Sequence, residues 1–373
     1  MSTATASPTQ ITPATLADRI VAGERLTLLD VREDASWTIE APNVRTHHIP
    51  AAEVLADPAI VAAALSGPVI AVCHRGITAE RVGGALASAG VDVAVLAGGM
   101  RAWIDLLRDY VVDLGIPGLE VRQIERPGRG CLSYLVAAGG EAIVVDPAPQ
   151  IDAYVALAED LDVRITAVID THLHADHLSG ARALAQRVSA RLHLPAAALD
   201  RGIAYADEVV PLSDGDTLDI GGVSINARSL PGHTSDMTGF LIAGRALLGG
   251  DSLFVDGIAR PDLQQGDPEG AREMARLLHH TLHERVLALG GDIVLLPGHT
   301  HPGLHAAAVH ATLAEVRAAV PELGIGDPAA FAEEVLADMP PRPANYEAVI
   351  AVNAGLHPYD PDLEAGGNSC STR

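Results

Sequence analysis

The run ITAVID (165–170) is apolar and largely β-branched, so it reads as a strand, and THLHADHLSG (171–180) follows it at once. Within six positions of that second run stand His172, His174, Asp176 and His177. A hydrophobic core has no use for three imidazoles and a carboxylate so close together. Metal binding does, because neutral imidazoles and carboxylates are the usual ligands of a catalytic ion. His172 and His174 are two apart, so a locally extended backbone points both to one side. Asp176 and His177 follow where the loop runs on towards the helix expected in HLSGARALAQRV. Ligands at a strand end converge on one pocket while the sheet fixes their origins. The segment therefore demands a sheet whose strand ends face a metal pocket.

Three further ligand types sit in the same context. His233 in LPGHTSD follows SINARSL, Asp251 ends RALLGG, and His299 in LLPGHTHPG follows the apolar DIVLLP. Each stands next to a glycine, which lets the backbone come close to an ion. LEVRQIE, CLSYLVAA and EAIVVD read as further strands. Helices are expected at 150–161 and in PEGAREMARLLHHTLHERVLALG. This is a strand-rich, mixed layered domain over 119–360.

The N-terminal part alternates differently. ATLADRIVAG reads as a helix ending at Gly23, TLLDVRE and PVIAVC as buried strands, and AERVGGALASAG as a helix stopped at Gly90. VDVAVLAGG is another strand and turn, and MRAWIDLLRDYVV a closing helix. That pattern predicts a small α/β domain with a parallel sheet at 12–110, after a frayed first dozen residues. Residues 111–118, containing DLGIPG, read as a linker, and 361–373 as a disordered tail in which Cys370 has no role. Cys73 ends a buried strand and begins the loop CHRGIT, which opens a helix. Helix-terminal N–H groups favour a thiolate there, and Arg75 and Arg81 add positive charge.

Charge and cysteine usage narrow the partners. A formal net charge of -23 argues against nucleic acid and anionic membrane, which both demand basic patches. Neither a membrane span nor a secretory signal is evident, and three widely spaced cysteines form no disulfide framework, so a cytoplasmic location is expected.

THLHADH, GHT, GGD and PGH, in this order, resemble the metallo-β-lactamase fold, which implies an αββα sandwich with metal at the sheet edges. Within that fold two ligand patterns compete. The glyoxalase II-like pattern implies one metal on His172, His174, His233 and Asp251, and a second on Asp176, His177, Asp251 and His299. There the metals activate water for attack on a thioester. The persulfide dioxygenase pattern implies one Fe(II) on His172, His233 and Asp251, a set suited to O₂ chemistry. DSLFVDGIARPDLQQG (251–266) resembles the dioxygenase segment GDxLxxxGxGRxDxQxG, with Ala259 in place of a glycine. The resemblance implies that Arg260 and Asp262 serve the substrate, the arginine pairing with a carboxylate, and that Tyr134 in GRGCLSYLV lines the pocket. RPANYEAVIAVNAG resembles the family's closing segment, with no mechanism attached.

CHRGIT, DVRE (30–33) and LAGGMRAW (96–103) resemble the rhodanese family, which implies a catalytic Cys73 that carries a persulfide. Arg75 would help bind its anionic donor. Thr78 departs from the family, which usually has an arginine at the loop's last position, and this weakens the case for thiosulfate as donor.

The expected architecture is an α/β rhodanese-like domain followed by an αββα metallo-β-lactamase sandwich. The favoured activity is oxidation of a low-molecular-weight thiol persulfide to sulfite at one Fe(II), with a sulfane-sulfur donor serving Cys73. The expected partners are that persulfide, O₂ and the donor, a homo-oligomer being left open. The runner-up is a hydrolase of glutathione-type thioesters with one or two Zn per chain. A third reading makes the first domain an inactive docking module.

Overall fold

Short apolar runs cut by glycine turns build three sheets. The computed structural model describes residues 8–35, 37–265, 267–301, 303–337 and 339–364, so Cys370 and the rest of the expected tail from 365 lie outside it. The first sheet is wholly parallel, in the order Thr9–Ile11, Val93–Leu96, Val69–Val72, Leu26–Asp30, Val44–His48. Strands covered on both faces are largely apolar, and every residue of Val69–Val72 and Leu26–Asp30 is buried, with Thr27 and Asp30 the polar exceptions. Helix Pro13–Val21 packs Leu16, Ala17 and Ile20 on one face, and helix Ile77–Ser88 packs Ala79, Val82 and Leu86 on the other. The start of the chain is less frayed than expected: Thr9–Ile11 joins the sheet and buries Ile11.

The closing helix expected at 100–112 stops early. Helix Gly99–Ile104 ends at Asp105, and Arg108–Val111 forms a strand antiparallel to Leu119–Arg126. Side-chain pairing decides this. The single Tyr110 O–H is shared between Glu125 on the neighbouring strand, at 3.0 Å, and the His305 carbonyl, at 2.7 Å, contacts that a helix would break. Residues 113–118 therefore connect neighbours within one sheet.

The second sheet has seven strands, in the order Val209–Leu212, Arg191–Pro195, Arg164–Ile169, Glu141–Val145, Cys131–Ala138, Leu119–Arg126, Arg108–Val111. The third has six: Thr217–Ile220, Val223–Ser229, Thr238–Ile242, Ala246–Gly250, Val294–Pro297, Ala311–Thr312. One apolar cluster, including Val136, Ile143, Phe240 and Leu248, fills the space between the two sheets. A second packs the seven-stranded sheet on helices Ile151–Asp160 and Ala181–Val188. A third packs the six-stranded sheet on helices Pro268–Thr281, Leu313–Ala319 and Pro328–Ala337. The layers are thus helix, sheet, sheet, helix.

Residues 361–364 contradict a disordered tail. They form a 3₁₀ turn, and the Glu364 carboxylate is fully buried in a two-point pair with Arg126, at 2.7 and 2.8 Å. Among the described residues no helix is long and apolar enough to cross a membrane.

Candidate metal centre and cysteine loop

Strand Arg164–Ile169 ends at Asp170, and the next residues turn across the end of the sandwich. Thr171 is fixed by Asp146 at the end of the neighbouring strand: its N–H donates to Oδ1 at 2.7 Å and its hydroxyl to Oδ2 at 2.9 Å. His172 Nδ1 donates in turn to the Thr171 oxygen at 3.0 Å, which leaves Nε2 as the free lone pair. His233 follows Gly232, whose added Cβ would lie 2.5 Å from Leu278, so the turn passes hard against helix Pro268–Thr281. His233 Nδ1 donates to the Arg260 carbonyl at 2.7 Å and again leaves Nε2 free. Asp251 follows Gly250 at the end of strand Ala246–Gly250 and turns Oδ2 towards both rings. Its Oδ2 is 3.8 Å from His172 Nε2 and 3.7 Å from His233 Nε2.

Those three atoms are buried and have no hydrogen-bond partner within the protein. Buried polar atoms are almost always satisfied, so three that converge on one point fit a cation. The neighbouring groups behave otherwise. His299 Nδ1 donates to Asp251 Oδ1 at 2.7 Å and its Nε2 to Asp176 Oδ2 at 2.8 Å. His177 Nδ1 donates to both oxygens of Asp176 at 2.9 Å. Burial pushes the His299 ring down, but Asp251 and Asp176 outweigh it and hold the ring well above the ordinary histidine range. Burial likewise disfavours charge on Asp176, yet His177 and His299 hold it well below the ordinary carboxylate range. His174 turns its Nε2 to Asp146 at 3.1 Å and is grouped with Asp146 and Asp170 rather than with the converging three. Its Nδ1 has no partner.

The structure thus brings six of the seven expected ligands into two adjoining groups, His172–His233–Asp251 and Asp176–His177–His299, the latter also holding Cys131. Cys131 was not singled out in the sequence. Burial pushes its thiol up, but the His177 and His299 rings bring it down to about 6. The cross-sheet bridge from Cys131 to His299 brings it here, together with the bonds of Leu132 to Gly298 and Thr300 to Gly130, and no local motif announces that contact.

The side chains expected to meet substrate hold protein partners in this structure. The Arg260 guanidinium is fully buried, paired with Asp262 at 2.8 and 3.1 Å, and donates to the Pro340 carbonyl at 2.7 Å. It braces the loop whose carbonyl orients His233. Asp262 also accepts from Arg342 at 3.1 Å. The Tyr134 hydroxyl donates to the Pro297 carbonyl at 2.7 Å and accepts from Gln123 at 2.9 Å, so it ties the two sheets together just before His299.

In the first domain Cys73 is buried at the end of Val69–Val72, and its Sγ accepts from the Ala79 N–H at 3.4 Å in the first turn of helix Ile77–Ser88. The loop's other side is held by Met100 N–H on the Cys73 carbonyl at 2.8 Å and Arg101 N–H on the His74 carbonyl at 3.0 Å. Gly99 is obligatory for this: at φ 64° an added Cβ would lie 2.3 Å from the Cys73 carbonyl. DVRE contributes a buried Arg32–Asp30 pair at 2.6 Å. Thr78 and Arg81 are exposed. Arg75 is exposed at the rim of a cavity of about 350 Å³ that Trp37, Met100 and Pro361 also line.

The metallo-beta-lactamase superfamily pattern matches residues 126–303, and the rhodanese-like domain pattern residues 12–106. The mitochondrial persulfide dioxygenase ETHE1 of Homo sapiens is 30% identical over 191 residues, 49% of this chain and 69% of that protein. A hydroxyacylglutathione hydrolase of Anaeromyxobacter dehalogenans is 35% identical over 206 residues, 52% of this chain and 74% of that protein. The crystal structure of ETHE1 from Myxococcus xanthus superposes with a TM-score of 0.54 at 27% identity, covering 64% of this chain and 99% of that one. Together with the converging metal ligands, these likenesses place the chain in the metallo-β-lactamase superfamily, as a relative of the persulfide dioxygenases and glyoxalase II hydrolases with a rhodanese-like domain fused in front.

Proposed function

We propose that the second domain oxidises a low-molecular-weight thiol persulfide at a single iron: R–S–SH + O₂ + H₂O gives R–SH + SO₃²⁻ + 2 H⁺. The observation that carries this reading is the contrast between the two ligand groups. His172, His233 and Asp251 leave three converging atoms unsatisfied, whereas Asp176, His177 and His299 satisfy one another and Asp251. Two histidines and one carboxylate suit Fe(II). When bound, ferrous iron supplies the electron chemistry that makes O₂ reactive towards a persulfide. The protein's part is to fix the donors. Thr171 and the Arg260 carbonyl select the ring tautomers, and His299 Nδ1 holds the second oxygen of Asp251, so that Oδ2 would be the oxygen left for a bound ion.

The first domain is proposed to hold sulfane sulfur as Cys73–S–SH. The Cys73 thiolate attacks the outer sulfur of R–S–SH, the S–S bond breaks, and R–S⁻ leaves with the electron pair. The Ala79 N–H in the first turn of helix Ile77–Ser88 donates to Cys73 Sγ at 3.4 Å and orients the sulfur for the attack. The strong likeness to a hydroxyacylglutathione hydrolase keeps a second reading, zinc-dependent thioester hydrolysis. Metal analysis and an oxygen electrode separate the two. One iron per chain with O₂ uptake on glutathione persulfide supports the proposal. Two zincs, thioester hydrolysis and no O₂ uptake would replace it.

A further inference from the structure

We infer that Asn353 and Glu364, from the C-terminal segment, are positioning residues for the metal loop 171–180, and that Glu364 braces this loop against the rhodanese-like domain. The inference rests on the metal reading above and adds to it the part that holds the ligands in place. Asn353 is buried near the end of helix Tyr346–Asn353. Its side-chain amide donates to the carbonyls of His174 at 2.9 Å and His177 at 2.8 Å, and its oxygen accepts from the Ser179 N–H at 2.9 Å. One side chain thus fixes three peptide groups of the ligand-bearing turn, which has no ladder or helix of its own to hold it. Glu364 accepts from the Leu178 N–H at 2.9 Å, the peptide directly after His177.

The same carboxylate reaches the other domain. Arg126, paired with Glu364, donates Nε to the Ile104 carbonyl at 2.7 Å. Ile104 ends the short helix whose first amides hold the carbonyls of Cys73 and His74. Arg101 of that helix donates to the Pro361 carbonyl at 2.6 Å. The turn 361–364 therefore touches the element under the cysteine loop and a peptide of the metal loop at once. None of Asn353, Glu364 and Arg126 points at the converging ligand atoms, so their effect on the centre is indirect.

The test uses the full chain and isosteric variants. Asn353→Asp keeps the acceptor for Ser179 and removes both donors, and Glu364→Gln keeps an acceptor for Leu178 and removes the charge facing Arg126. Hydrogen–deuterium exchange of the metal-free protein should show a peptide spanning 171–180 exchanging at least ~10-fold faster in each variant, while a peptide spanning 238–242 in the six-stranded sheet is unchanged. In Glu364→Gln a peptide spanning 99–106 should also quicken. Titration with Co(II) alone should give affinity about 10–100-fold weaker than the parent in Asn353→Asp. Unchanged exchange at 171–180, or a rise spread evenly over the chain, overturns the inference. If the parent itself binds no Co(II), the metal reading fails, while the exchange data still decide whether these side chains hold the loop.

Discussion

Gly298 offers a sharp test of how tightly the centre is built. It lies between Pro297, which ends a strand, and His299, and its φ is not in the left-handed region, so only space argues for glycine there. A Cβ at this position would stand 2.5 Å from Asp251 Oδ1, 2.9 Å from the Gly250 carbonyl carbon and 3.0 Å from its oxygen. Ordinary contact begins at 3.4 Å, so Gly298→Ala requires a displacement of 3.4 − 2.5 = 0.9 Å. Two of the three obstacles are backbone, so the shift falls mainly on the Asp251 side chain. Moving Asp251 Oδ1 also moves Oδ2 away from His172 and His233, whereas metal sites tolerate only about 0.2 Å. The expected loss is about 10–100-fold in metal affinity, or ~1.4–2.7 kcal/mol, with overpacking costing ~1–3 kcal/mol of stability. Gly84→Ala is the control. Gly84 sits inside helix Ile77–Ser88 with nothing within 4 Å of an added Cβ, and the change should stabilise by ~1 kcal/mol. Co(II) titration and urea unfolding of both variants read these effects. Metal affinity in Gly298→Ala equal to that of the parent would refute the claim that Asp251 is held without slack.

Three further outcomes are expected. His172→Ala, His233→Ala and Asp251→Ala should each abolish metal binding, whereas His299→Ala should retain at least half the metal per chain by elemental analysis; equal loss in all four would favour a two-metal centre. Incubation with a persulfide donor should add one sulfur to the Cys73 peptide measured without reduction, absent in Cys73→Ser, and thiosulfate should label it poorly because Thr78 brings no positive charge; no labelling by any donor makes the first domain a docking module. The Arg126–Glu364 pair should give acid-sensitive stability. Burial disfavours the Glu364 charge, but Arg126 outweighs it and holds the folded pKa below the ordinary 4.5. The stabilisation is therefore fully present above about pH 4.5 and is lost as pH falls through the lowered folded value. Urea unfolding of parent and Glu364→Gln should differ at pH 7 and converge towards pH 3; a constant difference would contradict the pairing.

The residues that the structure clusters as candidate ligands stood out because they follow apolar strands, and a strand end is a local pattern. Strand Val44–His48 was not, since VRTHH is half exposed at a sheet edge and has no apolar run. The helix expected to continue through Arg108–Val111 gave way to cross-strand pairing with a partner beyond the glycine turn, which helical periodicity cannot register. The resemblance could not show what occupies the polar atoms of Arg260 and Tyr134, which is set by Asp262, Gln123 and two carbonyls. Asn353 stood within a recognised segment without a mechanism. Its three bonds cross more than 170 positions of sequence, a separation at which no motif operates.

That separation also sets an order of events during synthesis. Leu178 and Glu364 are 186 positions apart. At ~5–20 residues per second, the ribosome makes the metal loop roughly 10–40 s before the carboxylate that caps it. For that interval the histidines exist on a turn whose far-side supports have not been translated, so an ion meets a loose set of ligands rather than the finished centre. Metal capture in the finished geometry is accordingly a late step, after residue 364 has left the exit tunnel. Nascent chains stalled so that only residues up to 340 are exposed should be cut by protease within 171–180 even with metal present, and released full-length chains should resist; equal resistance in both would show that the loop organises without its C-terminal supports.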